Sequence, residues 1–285
     1  TAGGYTHSYA RNGYEWDVGV HYIGDMGSPN TLGRKLFDYI TDGRLQWAPM
    51  DEEYDRLYLG ERVGGLRAGK EGLRQSLLEA FPREGEAIDE YLALLSKMAD
   101  GMRWYTLSKL MPAPLAPLIG KGLQHLVPDD FNRSTHEVLR GITDNDALIG
   151  AITGQWGDYG APPRQSSFLM HALVAKHYLY GGYYPVGGAS EIAKSIIPVI
   201  QTTGGEVFTY ADVTEILIEK GKAVGVRVAD GEEIRARRVI SDAGVLNTFE
   251  KLLPQEAAAR CGYPGKRENV TPSAAHLGLY IGLKG

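Results

Sequence analysis

Three glycine positions and one acid are the residues of this chain best suited to meet an anion or a sugar. Gly3-Gly4 stands at the start, Asp17-x-Gly19 follows, and Gly187-Gly188 precedes Ala189-Ser190-Glu191-Ile192. Without a β-carbon, a glycine lets backbone amides approach a phosphate or ribose closely. The third doublet reads as a tight strand-to-helix turn with Ser190 near the cap. Taken singly, each of these is a turn by default. Proton chemistry would fall to His171, His177 or Tyr183, and His177 is the choice among them, although histidines in mixed apolar stretches more often complete structural hydrogen bonds. The aromatic group His177, Tyr178, Tyr180, Tyr183 and Tyr184 and the segment LMPAPLAPLIG are candidate lining for an apolar tunnel.

Other site chemistries lack their residues. The nearest approach to G-x-G-x-x-G is Gly120-Lys121-Gly122, which reaches His125 where the third glycine belongs. No Gly-Lys pair is followed by Ser or Thr, and neither H-E-x-x-H nor G-x-S-x-G occurs. His171 and His177 are six residues apart, on different faces of a helix, so no metal site is expected. Cys261 is the single cysteine, which excludes an intrachain disulfide and favours a reducing, cytoplasmic setting. The net charge of −5 arises from 35 acidic and 30 basic residues without a clustered run, so no nucleic-acid partner is expected. No apolar stretch of ~18 residues could span a bilayer, and no basic-then-apolar leader opens the chain. The first residue is Thr1 and the last residues read as an apolar strand, so the chain is read as an internal piece of a longer protein.

Positioning these residues requires both helices and strands. Residues 14–23 predict two short extended pieces with a turn or bulge at Gly19, and Leu45 to Arg67 predict strands of a small antiparallel sheet. Residues 71–81 and 84–107 predict helices, with Ile88, Leu92, Leu95 and Met98 on the inner face. Pro112, Pro114 and Pro117 forbid one regular helix in the next stretch, which reads as a buried connection, the wall of a greasy pocket or a patch on a membrane surface. Further helices are predicted at 134–142, opened by a Ser134–Glu137 capping box, and at 144–156, 165–179 and 189–202. Residues 206–241 predict a compact set of strands turned at Gly221 and Gly231, followed by a short helix near 245–252. Such an order is an α/β pattern interrupted by a second domain.

Read in order, these pieces resemble a known family. Gly3-Gly4, YEWDVGVHYIG at 14–24, GGYYPVGGASEIAKSIIPVIQTTGGEV at 181–207 and VTEILIEKGKAVGVRVADGEEIRARRVISDAG at 213–244 are similar to the phytoene desaturase superfamily of FAD proteins. HYIG, GASEI, IPVIQ and SDAGVLNTFEKLLP at 241–254 look most like its retinol saturase branch. The resemblance implies an α/β fold, α+β within this piece. A partial FAD/NAD(P)-binding domain is interrupted by a helix-rich substrate domain with a small antiparallel sheet. The implied divisions are 1–28 (FAD-domain remnant), 29–182 (substrate cap), 183–250 (FAD-domain strands and helix) and 251–285 (return to the substrate domain).

By the same resemblance, Gly3, Gly4, Asp17 and Gly19 pass close to the cofactor, and Val213 meets the adenine through its backbone. Ser241, Asp242 and Ala243 match a strand end beside the dinucleotide. The implied reaction saturates or desaturates a C=C bond of an apolar polyene, a retinoid or carotenoid, with FAD as cofactor and NAD(P)H left open as electron donor. A carotenoid isomerase on the same fold and a non-catalytic lipid-binding module stay open beside it. Peripheral membrane contact belongs to the implied setting, while the oligomeric state is not implied. The piece alone is expected to bind FAD poorly, because the nucleotide-binding fingerprint is absent from it.

Overall fold

The computed structural model describes residues 2–60, 62–112, 121–263 and 273–284. Contacts divide the chain into two compact units, residues 3–204 with 273–285, and residues 1–2 with 205–272. The larger unit begins with β1 (Ser8–Arg11), β2 (Tyr14–Asp17), α1 (Leu32–Thr41), β3 (Trp47–Pro49), β4 (Glu53–Leu59) and β5 (Arg62–Arg67). Helices follow: α2 (Lys70–Ala80), α3 (Gly85–Leu110), α4 (Lys121–Gln124), α5 (Thr135–Arg140), α6 (Asp146–Ile152) and α7 (Phe168–Tyr178). β6 (Tyr183–Pro185) and α8 (Ser190–Thr202) close it.

The helical core follows the apolar periodicity. Ile88, Leu92, Leu95 and Met98 of α3 are buried against Phe168 and Ala172 of α7, with Leu139 and Leu148 from α5 and α6. The predicted capping box is present: Ser134 Oγ accepts from Glu137 N at 3.2 Å, and Glu137 Oε2 accepts from Ser134 N at 3.0 Å. Asn145 and Ser167 cap α6 and α7 one way only, their side chains accepting from backbone N–H groups of the first turn. Of the proline-broken stretch, residues 113–120 lie outside the described residues, and with them most of the segment expected to line a tunnel.

The strands depart from the local reading in two ways. β4 and β5 pair as an antiparallel hairpin, but β3 pairs with β6 more than 130 residues away, Trp47 opposite Pro185 and Pro49 opposite Tyr183. β2 pairs back onto β1 across Asn12-Gly13, whose φ of 54° and 80° suit a primed hairpin turn. Val18 and Gly19 form only a bend, and Ile23 bridges Tyr183. α1, at 32–41, has no counterpart in the sequence reading. Its Phe37 packs edge-on against Trp47 at 5.0 Å, while Leu32, Leu36 and Tyr39 remain exposed.

The helical stretch leaves and re-enters this unit at one neck. Gly69 N donates to Leu179 O at 2.7 Å, and a β-carbon at Gly181 would stand 3.2 Å from Ala68 Cβ. Both ends of residues 70–178 are thereby held beside each other. The division by role at 1–28 and 29–182 runs through this unit, because β3 lies before the neck and its partner β6 after it.

The smaller unit is a three-stranded antiparallel sheet in the order β7 (Val213–Glu219), β8 (Lys222–Val228), β9 (Glu233–Arg235). Lys220 and Gly221, at φ 49° and 77°, form the β7–β8 turn, and Gly231 at φ 93° follows β8, both as predicted. A π-helical turn at Asn247–Leu252 and α9 (Gln255–Arg260) complete the unit, with Phe249 stacked on Tyr263 at 4.6 Å. Residues 206–211, expected as a strand, are not one, since no described segment offers them a ladder.

Candidate functional site

Asp17, the last residue of β2, is the hub of the larger unit's glycine cluster. Its Oδ2 accepts from Ala189 N at 3.1 Å and from the Tyr184 hydroxyl, which also lies 3.3 Å from Val20 O. Burial, and then the bond to Asp17, push the Tyr184 phenol well above its ordinary value, so it acts only as a donor. Gly187 and Gly188 reach Ala189 with φ of 94° each, a conformation that glycine adopts without strain. A β-carbon at Gly188 would already touch both Asp17 oxygens at 3.4 Å.

The first doublet packs on the same helix. At Gly3, φ 99°, a β-carbon would stand 3.1 Å from Ala193 Cβ in the first turn of α8. At Gly19 it would stand 2.8 Å from Tyr5 O. The fold therefore brings Gly3, Gly4, Asp17 and Gly19 together at the start of α8. Gly4 and Gly187 are exposed, and a β-carbon at Gly4 would meet open space. Bare amides on an open face beside a helix N-terminus fit the phosphate and sugar part of a dinucleotide.

The remaining cofactor candidates belong to the smaller unit. Val213 opens β7 opposite Val228. Ser241, Asp242 and Ala243 are not at a strand end but in irregular chain after β9, because the last ladder bond is Ala236 N to Val224 O at 2.9 Å. Ser241 Oγ meets Thr248 Oγ1 at 2.7 Å and Ala243 O accepts from Asn247 Nδ2 at 2.9 Å, which ties this segment to the π-helical turn. Asp242 is exposed.

His177, at the end of α7, has one nitrogen occupied. Nε2 accepts from Gly24 N at 2.8 Å, which leaves the proton of the neutral ring on Nδ1, 3.7 Å from Asp25 Oδ2. Asp25 borders a cleft of about 360 Å³ walled by Gly27, Ser28, Thr31, Tyr180 and Tyr183. The aromatic group thus divides: Tyr180 and Tyr183 reach this cleft and Tyr184 turns to Asp17. Tyr178 is buried in contact with Tyr22 at 4.8 Å.

His171, the alternative proton donor, is enclosed between the hydroxyls of Tyr91 at 3.0 Å and Tyr159 at 3.4 Å. Burial pushes it down to about 4. The unfolded chain takes up this proton near 6.5, so between these values it binds more protons than the fold does. Stability from this group is complete above about pH 6.5 and is lost as pH falls towards 4, a total of about 3 kcal/mol. Urea titrations of the wild type are expected to show this slope between pH 4.5 and 7. His171→Asn should flatten it, and equal slopes in both proteins would refute the assignment.

Sequence reasoning missed a polar cluster behind these residues. The Tyr22 hydroxyl donates to Asp55 Oδ2 at 2.8 Å and accepts from Gln155 Nε2 at 2.8 Å. His21 Nε2 lies 3.3 Å from Asp158 Oδ1. The HYIG string marked His21 and Tyr22 only as a likeness, and their acidic partners lie 33 and 137 positions further on. Among the described residues no group of three His, Cys, Asp or Glu side chains is arranged to hold a metal, and no helix is long and apolar enough to cross a membrane.

Comparison with known proteins gives this geometry a family. The chain is 36% identical over 296 residues to all-trans-retinol 13,14-reductase of Danio rerio, covering 100% of the chain and 49% of that protein. It is 41% identical over 303 residues to the chloroplastic prolycopene isomerase of Daucus carota, covering 99% of the chain and 47% of the relative. The chain spans about half the length of the curated relatives it matches. A crystal structure of an oxidoreductase from Methanosarcina mazei superposes with a TM-score of 0.59 at 16% identity, over 94% of this chain and 57% of that one, which supports the mixed α/β fold. The family described as flavin containing amine oxidoreductase matches residues 1–265, and the chain belongs to it.

Proposed function

We propose that this chain is part of an FAD-dependent oxidoreductase that saturates or desaturates a C=C bond of an apolar polyene, a retinoid or carotenoid. The observation that carries this reading is the cluster at the start of α8, where Asp17 accepts from Ala189 N beside Gly188, Gly3 packs on Ala193 and Gly4 stands open next to it. Likeness along the whole chain to a retinol 13,14-reductase supports it. When bound, a flavin supplies the two-electron chemistry. The chain's own residues hold the dinucleotide's polar part at α8, shape the apolar site and control the accompanying proton.

In this reading residues 29–182 form the substrate cap, and Tyr180 and Tyr183 line part of its path. NAD(P)H is the proposed electron donor. Trp104, Tyr105, Leu107 and Leu110 are exposed at the end of α3, and Lys109 Nζ lies 5.3 Å over the Tyr105 ring. Aromatic and basic side chains together suit a membrane surface, from which an apolar substrate would arrive.

A second reading, cis–trans isomerisation of a carotenoid, is favoured by the 41% identity to a prolycopene isomerase. The full-length protein is expected to purify yellow with flavin and, supplied with NAD(P)H, to convert retinol or a carotenoid to a product with two more hydrogens. A product of unchanged mass would move the assignment to the isomerase. A colourless protein that cannot be reconstituted with FAD would overturn both.

A further inference from the structure

We propose that His21 is the proton donor to the substrate carbon and that Asp158 is its positioning residue. This rests on the oxidoreductase reading above. Geometry separates His21 from the other histidines near the hub. His177 has both nitrogens engaged, Nε2 on Gly24 N and Nδ1 turned to Asp25, His7 turns Nδ1 to Gly4 O, and His171 is sealed inside the helical core. His21 stands two residues beyond Gly19, in the segment that leaves the glycine cluster, with its side chain about half exposed at 52%.

Its ring is held on two sides. Nε2 faces Asp158 Oδ1 at 3.3 Å, and the ring packs edge-on against Tyr22 at 4.7 Å and tilted against Tyr178 at 6.5 Å. Asp158 sits in the 3-10 turn Trp156–Tyr159 and is 23% exposed, so the ion pair is partly withdrawn from water. Nδ1 makes no hydrogen bond to any described residue, and it is the nitrogen available to a substrate.

The titratable groups facing His21 are Asp158 from that turn, Asp55 from β4, Tyr22 of its own segment and Tyr178 from α7. The hydrogen bond to Asp158 is the largest influence and raises the imidazole above its ordinary value, against the opposing effect of burial. Asp55 adds in the same direction, whereas both tyrosines are held neutral, burial being the main cause. The charged imidazolium is thereby favoured over its free state.

The step balances as follows. A reduced flavin, when bound, would supply the hydride to one carbon of the C=C bond and would itself be oxidised by two electrons. The π pair collects on the neighbouring carbon, which forms a C–H bond with the proton of Nδ1. The Nδ1–H bond breaks and its electron pair stays on the ring, leaving neutral His21 with Nε2–H still on Asp158. Solvent then restores the proton.

The test uses the full-length flavoprotein with His21→Gln and Asp158→Asn. In the wild type, kcat is expected to fall as pH rises through the His21 pKa. Asp158→Asn should move that limb to lower pH, and the His21 imidazole NMR titration should move with it. His21→Gln should lose about 100-fold in kcat, in the range of general acid catalysis, with KM and bound flavin near wild type. If the wild type binds flavin and reduces polyenes while His21→Gln keeps its kcat within about threefold, the donor assignment falls alone. An unmoved limb and NMR titration in Asp158→Asn overturn the positioning role. A wild type without flavin or polyene turnover removes the reading beneath both.

Discussion

Replacing Gly24 with alanine is expected to destabilise the larger unit more than any other single methyl added near the site. The new β-carbon would stand 1.9 Å from His177 O and 2.5 Å from its carbonyl carbon. These are backbone atoms at the end of α7, so relief requires moving the helix end rather than turning a side chain. Overpacking of this kind costs about 3 kcal/mol, and the Gly24 N–His177 Nε2 bond lost with it adds about 1 kcal/mol. Calorimetry should show Tm lowered by roughly 8–16 °C for a unit of this size. Gly4→Ala offers the contrast, because no atom lies within 4 Å there and only the strain of φ 53° opposes it, about 1–2 kcal/mol. Equal melting points for Gly24→Ala and wild type would show that the strand exit and α7 are not in this contact.

Asp17→Ala is expected to release the start of α8 and, in the full-length protein, most of the bound flavin. Two donors, Ala189 N and the Tyr184 hydroxyl, lose a charged acceptor at once. Hydrogen bonds to a charged group contribute about 1.5–3 kcal/mol each, so a loss of about 3–4 kcal/mol is expected. Tyr184→Phe removes one donor and leaves the bond from Ala189 N, so its effect should be less than half as large. The ratio of flavin to protein absorbance after gel filtration measures one consequence and Tm the other. If Asp17→Ala keeps a full complement of flavin, the glycine cluster is structural and the cofactor lies elsewhere.

Where local chemistry decided the structure, it was legible in the sequence. The stripe Ile88, Leu92, Leu95, Met98 is buried as its spacing required, and Ser134–Glu137 closes as a box because both partners lie within one turn. Gly221 turns a hairpin because its neighbours on both sides prefer strands. α1 carries a single apolar stripe of Leu32, Leu36, Phe37, Tyr39 and Ile40, but the helix is only ten residues long, no side chain caps its start, and Leu32, Leu36 and Tyr39 stay exposed, so the signal is short. The pairing of β3 with β6 depends on partners far apart in the chain, on which periodicity is silent.

The site was legible in part for the same reason. Glycines announce positive φ and close approach: Gly3 and Gly188 meet both conditions, whereas Gly19, two residues from Asp17, meets only the second, against Tyr5 O. The tyrosines after α7 looked like one cluster, but Tyr183 and Tyr184 are successive strand residues and must point to opposite faces. His21 carried no signal of its own, since Asp158 reaches it only through the fold.

The neck at Gly69 and Leu179 bears on how such proteins diversify. A segment of more than a hundred residues enters and leaves through one backbone hydrogen bond, while the strand pairs on either side keep their register without it. Because closing a longer loop costs only about 0.6 kcal/mol per doubling of its length, lengthening or shortening the insert far from the neck would spare the scaffold, whereas replacing it whole would forfeit the contacts of Gln155, Asp158 and His177 with residues 21–24. Chimaeras joined at Gly69 and Leu179 would therefore have to bring equivalents of Gln155, Asp158 and His177 with the insert.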